Sequence, residues 1–151
     1  PGGRHQHLRG RRTAHSLTQM ARPSSARRLA LAGGVAVALL VGSLLPVPTG
    51  DSGPVVPVGP ADLVAHFLGY AALGASLVYA TDSEAERDSG WRTLLGLIVI
   101  VTLYGAGVEL LQGLRPTRAF SVADIVANGL GGIVGVWLGD RSLRKTGERE
   151  P

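Results

Sequence analysis

His66, Glu109 and Asp124 are ionisable side chains set inside or at the rim of long apolar runs. An imidazole beside two carboxylates is a set that can move protons. Histidine titrates near neutrality, and converging carboxylates raise one another's pKa, a common property of working sites. Other polar residues fall in register with them. Asp62, His66 and Tyr70 recur every four residues, which places them on one stripe of a helix. Glu109 and Gln112 share a helical face, and so do Asp124 and Asn128. Arg115 and Arg118 lie in the short connection between those pairs, and guanidinium groups suit an anionic ligand. The expected roles are therefore acid–base chemistry for His66, Glu109 and Asp124, and binding for Asp62, Tyr70, Gln112, Arg115, Arg118 and Asn128.

Each residue also has a plainer explanation. Asp62 follows Gly59-Pro60-Ala61 and suits a helix N-cap. Ser121 to Asp124, "SVAD", has capping-box spacing. The two arginines suit lipid phosphates. His66 and Asn128 lie deeper, where a helix–helix hydrogen bond of about 0.6–2 kcal/mol would account for them. Independent caps and glue have no reason to coincide at one level, however, and the cluster reads as a site. Metal ligation by His66, Glu109 and Asp124 fits their types, but no other histidine lies in an apolar run, and neither metal nor cofactor is expected. No G-x-S-x-G nucleophile signature is present, which leaves enzyme status open. "GLGGIVG" follows no strand and lies in an apolar run, so its glycines are packing residues rather than a phosphate loop.

The elements that position these residues are four apolar runs, near residues 29–46, 62–80, 93–112 and 121–139. Each approaches the roughly 20 residues that a helix needs to cross a bilayer. The predicted fold is all-α: an integral membrane bundle of four transmembrane helices, in the cell membrane. Composition agrees, since 45% of residues are hydrophobic, only 5% are aromatic and 22 are glycine, as suits helices packed through small residues. Gly131, Gly135 and Gly139 form such a stripe, and Ala65, Gly69 and Ala72 give the second run a small-residue face. The net charge of +4 sits mostly at the chain ends, which argues for membrane topology and against nucleic acid. Cysteine is absent, which excludes disulfides and thiolate metal sites.

Charge also orients the bundle. Both ends are rich in arginine, while the loop "PVPTGDSGPVVPVGPA" has no positive residue. Lysine and arginine favour the cytoplasm, so both termini are expected inside. The second run then begins, the third ends and the fourth begins at the outer face. The polar residues of three helices thus meet at one membrane level, with Trp91 and Trp137 at the inner interface. Residues 1–27 read as a disordered basic arm, 28–140 as the membrane domain and 141–151 as a basic tail. "MARPSSARRLALAGG" from Met20 resembles a natural start, so residues 1–19 are read as upstream sequence or as arm. His5, His7 and His15 fall there and read as solvated tail. A cleaved signal peptide is disfavoured by the length of the first run and by the three that follow.

The pieces "DLVAHFLGYAALG" and "VELLQGLRPTRAFSVADIVANGLGGIVG" resemble the VanZ-like family of small integral membrane proteins. The matching positions are Asp62, His66, Phe67 and Tyr70; Glu109 and Gln112; Pro116 and Arg118; Asp124, Asn128 and Gly131. Leu63 departs from the pattern, since many members carry lysine there. The resemblance spans residues 62–139. It implies a four-helix membrane fold and, because the founding member is linked to teicoplanin resistance, a place at the cell envelope. It implies no defined chemistry.

Three functions follow from these residues. The first is an outer-facing site that binds, and in its fuller form processes, an envelope lipid or its head group. Membrane lipids would be the partners, hydrolysis or group transfer the reaction class, and an antibiotic-resistance-like role the biological setting. The second is an assembly protein whose polar cluster locks helices together. The third is a small ion or proton transporter, disfavoured because the charges gather at one face instead of crossing the membrane.

Overall fold

The computed structural model describes residues 24–45, 59–81, 90–115 and 120–147. Among them the chain is entirely helical: α1 Ser25–Leu44, α2 Pro60–Ala80, α3 Gly90–Gly113 and α4 Val122–Gly147. All four are long and apolar enough to cross a bilayer. Large apolar side chains are exposed around the whole bundle, among them Val37, Leu68, Leu103, Leu110 and Leu130. Such a surface suits lipid and not water.

Local chemistry explains the helix ends. Pro60 opens α2 at a position where its missing N–H is no loss, and Asp62 in the first turn complements the helix dipole. The N-cap of α2 is Gly59, so Asp62 does not serve as that cap. Thr81 closes α2, with its amide and its hydroxyl both donating to the Leu77 carbonyl. The helices overrun the apolar runs that mark them. α1 begins at Ser25, inside the stretch read as arm, and α4 continues into the basic tail. A helix has no reason to stop at the hydrocarbon boundary when polar residues can extend it. Here Arg144 bonds Asp140 one turn back at 2.8 Å, and Arg144 and Lys145 suit the C-terminal end of the dipole.

α2 touches all three other helices, and α1 makes no contact with α4. Two layers of apolar residues fill the middle: Tyr70, Leu73 and Val101, then Val78, Leu97 and Val136. The closest approach is between α2 and α4. A Cβ on Gly131 would strike the Phe67 carbonyl, and one on Gly135 the Ala71 carbonyl. The expected stripe on α4 is therefore an interface. Its counterpart differs from the expected small face of α2: Gly69 packs on Leu39 of α1, Ala65 borders a cleft, and Ala72 is exposed. The stripe meets backbone at Phe67, Ala71 and Ala75 instead, because the bare carbonyl side of a helix offers as close a fit as small side chains do.

α1 is held differently. Tyr104 on α3 donates its hydroxyl to the Ala36 carbonyl at 2.5 Å, and Arg28 donates to the Tyr79 carbonyl at 3.3 Å. Tyr104→Phe removes one interhelical hydrogen bond, so unfolding in mixed micelles should show a loss of about 1 kcal/mol. No change would mean that the Ala36 carbonyl is equally served by its own helix.

Candidate functional site

The end of α1, the start of α2, the end of α3 and the start of α4 meet at one end of the bundle. His66 is buried on α2, and its Nδ1 lies 3.0 Å from Oδ1 of Asn128 on α4, itself fully buried. An amide oxygen only accepts, so Nδ1 carries the proton and donates. In the neutral ring Nε2 then bears the lone pair. It faces Oδ1 of Asp62, one turn back, at 3.8 Å, a separation too long for a direct hydrogen bond. Tyr70 continues the stripe, its ring parallel to the imidazole at 6.3 Å between centroids. Gly105 on α3 makes room for this pair: a Cβ there would fall within 3.0 Å of both Tyr70 and Asn128. Nothing but its place in "YGAGVELL" signals that role in the sequence.

The start of α4 shows how Asp124 reaches the same place. Ser121 accepts the Asp124 amide on its hydroxyl at 3.2 Å, which is half of the expected capping box. In a complete box Asp124 would reach back to the Ser121 amide. That amide instead donates to Oε1 of Glu109, from α3, at 2.6 Å. With a neighbouring helix occupying that donor, the Asp124 carboxylate lies with the Asp62 carboxylate and the His66 imidazole: one ligand atom from each stands within 4.8 Å of the other two. Glu109 is buried at the junction of α3 and α4 and does not join this trio.

Gln112 is also buried, and its Nε2 donates to the Ser43 carbonyl of α1 at 2.8 Å. This bond brings in a helix whose part in the site no side chain announces, because the acceptor is backbone. A cleft of about 280 Å³ opens there, lined by Asp62, His66, Tyr70 and Gln112 and, from α1, by Leu39 and Ser43. Arg115 is half-buried just beyond α3, its amide bonded to the Gln112 carbonyl. Arg118 and Pro116 lie outside the described residues, as do His5, His7 and His15 and the long first loop. Trp91 and Trp137 are exposed near the opposite end, each with an arginine over its ring, Arg92 at 5.7 Å and Arg141 at 5.3 Å.

Of the nine expected site residues, the structure thus gathers Asp62, His66, Tyr70, Asn128 and Asp124 around one imidazole. It sets Gln112 in the cleft wall and Glu109 behind it, as a helix cap. A family model described as VanZ/LLP1 matches residues 19–141. No curated protein and no solved structure shows a significant match to the chain.

Proposed function

This chain belongs to the VanZ/LLP1 family, and from that premise we propose that its cleft binds the polar head group of an envelope lipid. The protein is a multi-pass membrane protein, and its cleft lies where the polar ends of four lipid-facing helices converge. The observation that carries the reading is the lining itself. Beside core layers built of Leu73, Val78, Leu97, Val101 and Val136, the cleft presents a carboxylate, an imidazole, a phenol and an amide. Buried polar groups without a purpose are costly in hydrocarbon. The Tyr70 hydroxyl, buried and with no hydrogen-bond partner among the described residues, is an additional donor for a ligand. Arg115, and Arg118 from the adjoining loop, would hold the anionic part of the head group. Basic termini favour the cytoplasm, which supports an outward position for this end of the bundle. Where processing follows binding, His66 is the group suited to exchange a proton, held in orientation by Asn128.

A second reading has specific support. His66–Asn128, Gln112–Ser43 and Glu109–Ser121 each tie two different helices, as an assembly lock would. Thermal shift in detergent against phosphatidylglycerol, cardiolipin and isoprenyl phosphates separates the two. Head-group binding predicts stabilisation by at least one of these lipids, reduced about tenfold in apparent affinity by Tyr70→Phe, which removes a single buried donor. A flat response across the panel leaves the lock. Transport has the least support: between the two bundle ends the core layers are Leu73, Val78, Leu97, Val101 and Val136, and the buried Ser76 hydroxyl there is bonded to the Leu73 carbonyl of its own helix.

A further inference from the structure

We propose that Asp62, His66 and Asp124 hold a divalent transition-metal ion at the inner wall of the cleft. The argument begins with the ring. Because Nδ1 donates to Asn128, Nε2 presents its lone pair, and it faces a carboxylate oxygen at 3.8 Å. Ligands of one zinc ion lie about 2.1 Å from the metal and therefore about 3–4 Å from each other. The Nε2–Asp62 separation falls in that interval, and one ligand atom each from Asp62, His66 and Asp124 stands within 4.8 Å of the other two.

The surroundings fit the same purpose. A metal-ligating histidine nearly always donates its other N–H to a fixed acceptor, which sets the tautomer and ring angle. Asn128 is that acceptor, with no exposure to solvent. Glu109 takes the amide that Asp124 would otherwise reach, so the Asp124 carboxylate is turned toward the imidazole by the backbone arrangement itself. Three protein ligands leave further coordination positions, as in catalytic rather than structural sites. One imidazole with two carboxylates suits Zn²⁺ or Mn²⁺.

The test uses the full chain in detergent with His5, His7 and His15 changed to alanine, which leaves His66 as its one histidine. Zn²⁺ and Mn²⁺ are each titrated against a competing chelator, and the zinc complex is examined by X-ray absorption. The expected result is one ion per chain, with a first shell containing a single imidazole nitrogen and carboxylate oxygens. Asp62→Asn, at a half-exposed position, and Asp124→Asn should each weaken binding at least tenfold. Asn128→Leu should do so about 10–100-fold, through the ring it orients. Absence of stoichiometric binding of both ions, a zinc shell without imidazole, or unchanged affinity in both Asp→Asn variants would overturn the proposal. It stands apart from the head-group reading: metal binding with no lipid response would keep this and reject that, and the converse would do the reverse.

Discussion

Gly135→Val should be the most damaging single substitution in the bundle. The added Cβ meets the Ala71 carbonyl and the backbone behind it, not the movable end of a side chain. Helix α2 would have to retreat from α4 along the whole contact, and Gly131, which faces the Phe67 carbonyl, shares that contact one turn away. Overpacking a well-filled site costs about 1–3 kcal/mol, and a clash with backbone belongs at the top of that range. In a membrane the loss is not offset by hydrophobic burial, because lipid tails are as apolar as the interior. Reversible unfolding in mixed micelles should register the change, with Gly107→Val as control at a position where a Cβ meets nothing within 4 Å. Similar losses in the two variants would mean that helix packing at Gly135 is looser than these contacts indicate.

Glu109→Leu should follow closely, while Glu109→Gln should be mild. Oε1 of Glu109 accepts the Ser121 amide at 2.6 Å in a buried junction. Hydrogen bonds to charged groups contribute about 1.5–3 kcal/mol, and leucine would strip the amide of its partner. Glutamine keeps an acceptor oxygen at the same reach, so about half of that loss is expected. The same micelle unfolding, run on both variants, distinguishes an acceptor from a charge. Equal losses would assign the effect to the negative charge and return Glu109 to the reacting groups.

The existence and order of the helices were legible because their signal is long and collective: about 20 apolar residues with few charges leave little alternative. The stripe Asp62, His66 and Tyr70 was equally plain, since helical periodicity alone aligns it. Partner choice across helices was not. Sequence spacing groups Glu109 with His66 and Asp124, yet the neighbouring Ser121 amide claims Glu109 and Asp62 takes its place. Side-chain types cannot reveal that exchange, because the deciding partner is a backbone N–H. The same limit hid α1 from the site: Gln112 reaches a carbonyl of Ser43, and every residue has one. Gly105 was hidden for another reason, since a missing side chain carries no chemistry to notice. Arg118 and the loop around it lie outside the described residues, and their part stays with the proposal.

α1 buries only Ala32 and meets α2 and α3 through partly buried Val35, Ala36 and Leu39 and through directional bonds from Arg28, Tyr104 and Gln112. The core of α2, α3 and α4 is joined by shape, and α1 by a shallow apolar seam reinforced by discrete polar tethers. Shape fails all at once, whereas tethers can be exchanged one at a time with little cost to the rest. The helix that walls one side of the cleft is thus the one with the least of its span buried among its neighbours. A molecule resident in the bilayer meets the cleft's thinnest wall on that side, in the plane of the membrane.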